Sequence, residues 1–243
     1  TTLLFTDLNL QIVSGSGTTE GTVNGRGNII IGYNEDIFPF LGGGLPASDK
    51  TGSHNLIVGK GLNYSSYGAV VAGLDNVSAG QYASVSGGNR NRASANFASV
   101  SGGLSNTASG VNASISGGGN NTASGLNSSV SGGRINTASG DFSSVTGGQS
   151  GIASGAQSSI TAGSSNTASG TFSSVSGGGT NKATGQTTSV SGGLLNETLN
   201  SASSISGGRQ NTASGTNSSI SGGLNRTVIG PNDWRAGALF QTE

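Results

Sequence analysis

A phrase of the form Ser-Ser-Val-Ser-Gly-Gly returns with a fixed 15-residue period along most of this 243-residue chain. Its Val or Ile recurs in one register, at Val85, Val100, Ile115, Val130, Val145, Ile160, Val175, Val190, Ile205 and Ile220. Half a period later a second phrase, Asn-Thr-Ala-Ser-Gly, repeats with its Ala at Ala93, Ala108, Ala123, Ala138, Ala153, Ala168, Ala183 and Ala213. Self-similarity at a short fixed period is typical of a solenoid, in which each coil buries its apolar residues by stacking on its neighbours.

A 15-residue coil is too short for a helix and a return, but it accommodates two short strands and two turns. Side chains alternate along a strand, so Val85 should point into the coil while Ser84 and Ser86 point out. Glycines at Gly87-Gly88 and at Gly125 should form the two corners. The sequence therefore predicts an all-β fold, a parallel β-solenoid of 15-residue coils with two short strands per coil.

The composition agrees with a stacked fold and limits the partners. Only 31% of the residues are hydrophobic and 8% are charged, and the net charge is zero. Stacking places copies of each residue over one another, so like charges in one column would repel. We see no run of basic residues, which predicts no nucleic-acid partner, and no apolar stretch of about 18 residues, which predicts no membrane insertion.

One column of the repeat is almost always Asn. Its members are Asn91, Asn106, Asn121, Asn136, Asn166, Asn181, Asn196 and Asn211. We expect their amides to bond to one another along the axis, as Asn ladders do in cross-β structures.

Three earlier phrases fit the frame less regularly, at residues 28–32, 55–59 and 69–73. We align these phrases with the regular coils by placing Gly32, Gly59 and Gly73 over Gly88. In this alignment Ile29, Leu56 and Val70 take the inward position of Val85. Ile30, Ile57 and Val71 then take the outward position of Ser86. Exposed apolar residues usually mark contacts, so either a neighbouring subunit or the chain's own N-terminal segment should cover them.

The outward Ser column has no exception over ten coils, whereas the Thr column is interrupted by Arg92, Ile152, Lys182 and Glu197. This favours a packed Ser face, although Ser also simply stacks well in a narrow coil. The predicted oligomer interface comprises Ile30, Ile57, Val71, Ser84, Ser86, Ser99 and Ser101.

The chain divides into four parts: an N-terminal lead-in (1–27), irregular N-terminal coils with a loop insertion at 33–54 (28–82), the regular solenoid (83–230) and a C-terminal cap (231–243). The lead-in alternates like a strand from Phe5 to Val13, and it either continues from a stalk or pairs with the solenoid end of another molecule. In the insertion, Phe38, Phe40 and Leu41 form a contact loop or clamp onto a subunit or the first coils. The cap residues are Trp234, Leu239 and Phe240.

No catalytic or metal-binding constellation emerges from the residues. His54 is the only histidine, the chain has no cysteine, and Glu35 and Asp36 adjoin on a loop without an evident partner. We predict a non-enzymatic protein without a cofactor.

The repeats resemble the head repeats of YadA-type trimeric autotransporter adhesins from about Asn28 to Gly230. Ser84-Val85-Ser86-Gly87-Gly88 is similar to that family's Ser-Val-Ala-Ile-Gly phrase, with Ser for Ala and Gly for Ile, and Asn55-Leu56-Ile57-Val58-Gly59 matches its apolar pattern more closely. The resemblance implies left-handed β-rolls packed as a homotrimer, extracellular or on a cell surface, that binds a host or matrix molecule. The 15-residue period and the Gly at the Ile position depart from the family.

Two alternatives remain. An open solenoid end invites further stacking, so the chain could be the subunit of an extracellular filament. The phrases are also similar to grass-type ice-binding β-rolls, whose regular hydroxyl face is the binding surface, but the Thr column here is interrupted.

Overall fold

The computed structural model describes residues 2–7, 9–37 and 47–236. Among these residues there is no helix, and parallel strands form two sheets that run the length of a solenoid. We call them the Ser sheet and the Thr sheet after their commonest outward residue. The Ser sheet has 14 strands: β1 (Ile29–Ile31), β2 (Leu56–Lys60), β4 (Val70–Leu74), β6 (Ser84–Val85), β8 (Ser99–Val100), β10 (Ser114–Ile115), β12 (Ser129–Val130), β14 (Ser144–Val145), β16 (Ser159–Ile160), β18 (Ser174–Val175), β20 (Ser189–Val190), β22 (Ser204–Ile205), β24 (Ser219–Ile220) and β26 (Trp234–Arg235). The Thr sheet has 12: β3 (Asn63–Tyr64), β5 (Val77–Ser78), β7 (Arg92–Ala93), β9 (Thr107–Ala108), β11 (Thr122–Ala123), β13 (Thr137–Ala138), β15 (Ile152–Ala153), β17 (Thr167–Ala168), β19 (Lys182–Ala183), β21 (Glu197–Thr198), β23 (Thr212–Ala213) and β25 (Thr227–Val228).

Successive regular coils pair in a constant register that equals the sequence period, which confirms the predicted solenoid. Ser114 pairs with Ser129 and Thr122 with Thr137, and a single bridge such as Leu104 to Gly119 links each coil to the next at the corner between the sheets. Each coil therefore has two short strands, and the strand pairs and corner bridges between coils join equivalent positions.

The core is a set of vertical columns. The Val or Ile of the first phrase is at most 1% exposed and the Ala of the second is 0% exposed, while the Ser and Thr beside them lie half-buried or exposed on the outside. The predicted alternation about Val85 is confirmed. Such columns replace the single thick core that 31% hydrophobic residues could not build.

Each coil has a first corner, which follows its Ser-sheet strand, and a second corner, which follows its Thr-sheet strand, and the two corners are made differently. Gly88 has a φ of 82°, as predicted for a glycine corner, but Gly125 does not have a positive φ. A Cβ on Gly125 would lie 2.1 Å from the carbonyl oxygen of Gly140, so glycine is needed there because the coils approach closely. The left-handed residue of that corner is Asn127, with a φ of 54°.

The Asn column is buried but does not form the predicted amide-to-amide ladder. Asn106 Oδ1 accepts a hydrogen bond from the backbone N–H of Asn121 at 3.0 Å, and Asn106 Nδ2 donates to the carbonyl oxygens of Gly102 and Gly118 at 3.0 Å each. The side chain thus satisfies the Asn121 N–H and the Gly102 carbonyl at the corner and adds a second donor to the Gly118 carbonyl, which also accepts from the Leu104 N–H.

The orientation predicted for the N-terminal coils was wrong by one residue. Ile30 pairs with Ile57, Ile57 with Val71, and Val71 with Val85, so all three belong to the core column. Ile57 and Val71 are 1% and 0% exposed and are not interface residues; Ile30 is 40% exposed because its coil is the first.

A shorter coil explains why the N-terminal coils were misaligned by one residue. Val71 pairs with Val85, fourteen positions on, whereas Leu74 bridges to Asn89, fifteen positions on. The regular coils have one additional residue between the strand and the corner, so an alignment on the corner glycine displaces the strand by one position, which exchanges inside and outside.

The N-terminal segments cover one end of the solenoid in part, at the Thr sheet, and leave the edge of β1 exposed. Residues 2–7 and 9–14 form no strand within the single chain, so a strand from Phe5 to Val13 that pairs with another molecule stays a prediction. The second arm of the insertion covers the end of the Thr sheet: the backbone N–H of Tyr64 donates to the Asp49 carbonyl oxygen at 2.9 Å. In the first arm Ile37 is buried, while Phe38, Phe40 and Leu41 lie outside the described residues.

Trp234 was predicted to cap the C-terminal end of the solenoid, but its indole does not lie over that end. It pairs with Ser219 on the last strand of the Ser sheet, and its indole lies on the outer face, 65% exposed, where Nε1 donates to Ser221 Oγ at 2.9 Å. Arg235 stands over Ile220 in the core column. Leu239 and Phe240 lie outside the described residues.

Candidate interaction surfaces

The outer face of the Ser sheet carries two columns of small hydroxyl side chains over ten coils. The half-buried column contains Ser84, Ser99, Ser114, Ser129, Ser144, Ser159, Ser174, Ser189, Ser204 and Ser219. The exposed column contains Ser86, Ser101, Ser116, Ser131, Thr146, Thr161, Ser176, Ser191, Ser206 and Ser221. No charged or long side chain interrupts this strip, so the predicted interface residues Ser84, Ser86, Ser99 and Ser101 lie together on one even surface.

At the N-terminal coils the same two columns become apolar. Val70, Leu56 and Ile29 continue the half-buried column, and Ala72, Val58 and Ile31 continue the exposed one. We call these six residues the apolar patch. Ile29, Ile31 and Val70 are 45%, 59% and 40% exposed. The sequence pattern had correctly indicated outward apolar residues, but they are these six.

The outer face of the Thr sheet is less uniform. Arg92, Ile152, Lys182 and Glu197 interrupt the Thr column, and Leu199 interrupts the Ser column beside it. Lys182 and Glu197 are register partners on adjacent coils. Long and charged side chains are therefore accommodated on this face.

The chain's own N-terminal segment lies beside the apolar patch and covers it only in part. The backbone N–H of Ser14 donates to His54 Nε2 at 3.0 Å, and Asn24 Nδ2 donates to the Ser14 carbonyl oxygen at 3.0 Å. From this anchor residues 10–12 run along Ile29 and Leu56, leaving a groove of about 460 Å³ between them. A second groove of about 530 Å³ lies within residues 11–19 against His54.

A further contact fastens the same segment to the second corner. The hydroxyl of Tyr82 donates to Glu20 Oε1 at 2.5 Å, and this hydrogen bond, together with burial and the nearby charge, raises the pKa of Tyr82 to about 12. Tyr82 also stacks on Phe97 at 5.5 Å and meets Tyr67 edge-on at 5.2 Å. This aromatic column was not predicted, although Tyr67, Tyr82 and Phe97 follow one another at 15-residue spacing in the sequence.

The residues weighed for chemistry hold structural contacts. His54 Nε2 is occupied by Ser14. Asp36 forms an ion pair with Lys50 at 2.9 Å, and the hydrogen bond and charge of Lys50 lower the pKa of Asp36. In the described part of the chain no three metal-ligating side chains come together, and no helix is long and apolar enough to cross a bilayer.

The chain matches no protein-family model, and a search of curated proteins returns no significant relative.

Proposed function

We propose that this protein is a non-enzymatic structural and adhesive rod, extracellular or on a cell surface, whose Ser sheet packs against further copies to form the head of a homotrimeric fibre. The observation that carries the proposal is the uninterrupted strip on the Ser sheet. Small side chains on a twisted but even sheet allow a second sheet to approach at about 10 Å. The apolar patch at one end of the strip would supply the water-excluding part of the contact.

The contrast between the two faces supports this choice of interface. Arg92 and Lys182 on the Thr sheet are compatible with a solvated surface, whereas a single such residue would hold two sheets apart on the Ser side. An unpaired charge buried in a contact is costly. The Ser sheet has none in ten coils.

The test is the mass of the purified chain by light scattering, which should be three times that of one chain. The variant Ser129→Arg with Ser159→Arg should be a monomer. These positions face outward, so each Arg can remain solvated in a folded single chain, as Trp234 does in the same column.

The matched control is Thr122→Arg with Thr167→Arg, which places the same charges on the Thr sheet and should leave the trimer intact. A monomeric parent protein, or equal loss of the trimer in both variants, contradicts the proposal.

The exposed edge of β1 favours a second candidate, a filament in which the sheets of successive molecules are continuous. Ile29, Ile30 and Ile31 are all at least 40% exposed there. Against it, Arg235 continues the core column on the last described strand, where it is exposed, and a charged side chain at a sheet edge is a common protection against further pairing. Electron microscopy would show filaments of one rod's width if the ends do join.

Ice binding is supported only by the regularity of the hydroxyl strip. Its test is thermal hysteresis of the monomeric Ser129→Arg, Ser159→Arg variant beside the parent protein. Hysteresis in the parent that the variant loses would favour it, and none in either would remove it.

A further inference from the structure

The fold gathers basic residues that are far apart in the sequence onto one edge of the rod. The regular coils, residues 83–230, carry six basic side chains: Arg90, Arg92, Arg134, Lys182, Arg209 and Arg226. When multiples of the 15-residue period are subtracted from their numbers, all six fall on four consecutive positions of one coil, residues 89–92. These positions form the first corner and the start of the Thr sheet. The sequence shows no run of basic residues because coils without a basic side chain separate most of these six residues along the chain.

The charges are spread along the axis, two or three coils apart for the four members Arg92, Arg134, Lys182 and Arg209. Arg134 lies three coils from Arg92, Lys182 three coils further, and Arg209 two coils beyond that. At about 4.8 Å per coil the separations are roughly 14, 14 and 10 Å. Arg134, Lys182 and Arg209 are exposed and Arg92 is half-buried.

Little negative charge opposes the exposed members, although Asp75 lies one coil before Arg90 at the same corner position. In the regular coils only Glu197 shares the edge, next to Lys182, while Asp141 lies at the other corner, where its Oδ1 accepts from the backbone N–H of Leu126 at 3.0 Å. The regular coils thus carry six positive and two negative side chains, although the whole chain is neutral. The negative excess lies in residues 1–75, with six acidic and three basic side chains.

We propose that this basic edge binds a linear acidic polysaccharide that lies along the rod. A chain of sugars with one carboxylate per residue or per disaccharide carries charges at a spacing of about one or two coils, so that some of its carboxylates come level with each cation. Between the cations, Gln149, Ser164 and Gln210 would meet sugar hydroxyls. Exposed apolar side chains on the same edge would lie against the C–H faces of the sugar rings; they are Leu104, Ile135, Leu194 and Leu195.

Nucleic acid fits the edge less well. A DNA duplex carries a charge every ~1.7 Å and is bound through many closely spaced phosphate contacts, whereas the cations here are several times further apart. Single strands are usually held by aromatic side chains on which the bases stack, and positions 89–92 of the regular coils hold none.

The inference deepens the proposed adhesive function by naming a ligand class, and it rests on that function. The basic edge adjoins the Thr sheet, so association through the Ser sheet would leave it accessible. Several copies in one assembly would each present an edge, and linked weak sites raise the overall affinity.

The experiment measures binding of the full chain to polygalacturonate by calorimetry at 50 mM and 300 mM salt. We expect binding at low salt that weakens about tenfold or more at high salt, because the screening length of exposed charges falls from about 14 Å to about 6 Å between these concentrations. Fully methyl-esterified polygalacturonate, which has the same backbone without charge, should not bind.

Two double variants remove the same charge from different places. Arg134→Gln with Arg209→Gln should weaken binding about tenfold or more, whereas Arg26→Gln with Arg235→Gln, away from the edge, should change it less than twofold. Absence of binding, equal losses in both variants, or tighter binding of single-stranded DNA of equal length would each overturn the proposal. None of these outcomes alters the mass that tests the trimer, so the two proposals fail independently.

Discussion

Asn136 Oδ1 accepts a hydrogen bond from the backbone N–H of Gly151 at 2.8 Å, and Gly151 has no side chain with which to continue the Asn column. Every other coil from Asn76 to Asn211 supplies an Asn at this position. The coil after Gly151 therefore lacks the acceptor that its neighbours give to their successors. The column is interrupted near the middle of the rod.

Replacing Gly151 by Asn should stabilise the protein by about 1–2 kcal/mol, because it adds hydrogen bonds to buried backbone groups and restricts the unfolded chain. A Cβ there would lie 3.2 Å from Asn136 Oδ1, a close contact that the other Asn coils accommodate. Thermal unfolding followed by circular dichroism measures the gain. Gly151→Ala is the control and should raise the melting temperature by less than Gly151→Asn. A lower melting temperature for the Asn variant than for the Ala variant would contradict the role assigned to the Asn column.

Adjacent corner glycines should differ in their tolerance of alanine. Gly133 has a φ of 82°, and a Cβ on it would lie 2.2 Å from the Gly148 carbonyl oxygen, whereas a Cβ on Gly132 would meet nothing within 4 Å. Gly133→Ala should cost more than about 2 kcal/mol, since the clash is with backbone that cannot move aside. Gly132→Ala should stay within about 0.5 kcal/mol. If the two variants lowered the melting temperature equally, the distance between neighbouring coils at Gly133 could adjust to a side chain, which would contradict this prediction.

One buried hydroxyl column should tolerate alanine at one coil and not at another. Ser143 Oγ is buried without a hydrogen-bond partner, and Ala83, Ala98 and Ala113 occupy the same column. Ser143→Ala should therefore be neutral or stabilising by up to about 1 kcal/mol. Ser218 Oγ donates to the Gly215 carbonyl oxygen at 2.6 Å, so Ser218→Ala should lose about 0.5–1.5 kcal/mol. Losses of the same size in urea titrations of the two variants would refute this distinction.

His54 should control how firmly the N-terminal segment is held. His54→Ala removes the acceptor for the Ser14 N–H, so hydrogen exchange of that amide should accelerate by about tenfold, the equivalent of one hydrogen bond of about 1.4 kcal/mol. His54→Gln should retain most of the protection, because its side-chain oxygen is an acceptor of similar reach. Glutamine also accepts the left-handed conformation of His54, as Gln157 does at a φ of 56°.

Exchange at Val100 in the regular coils is the internal reference for this measurement and should not change. Equal protection of Ser14 in the Ala variant and the parent protein would mean that other contacts, such as Glu20 with Tyr82, hold the segment.

The period and the alternation were sufficient to predict most of the fold. Once Val85 and Val100 occupy one column, the short coil requires β-strands, and the alternation puts Ser84 and Ser99 outside. These are consequences of chain length and of strand geometry. They need no knowledge of which groups touch.

The details that failed depend on distances in three dimensions. The Asn amides could bond to one another or to the backbone, and only the position of Gly102 and Gly118 decides for the backbone. The alternation from Phe5 to Val13 is compatible with a strand, and within the single chain the contact of Ser14 with His54 directs that segment along the rod.

The solenoid itself follows from the sequence alone, because a 15-residue repeat constrains every coil to the same conformation and every residue to a column of its equivalents. Which side of the first coils is apolar emerged only from the folded chain, because a single additional residue at the corner exchanges inside and outside. The same holds for Arg134 and Arg209, which lie five coils apart on one edge, since side chains distant along the chain become neighbours only when the coils are stacked.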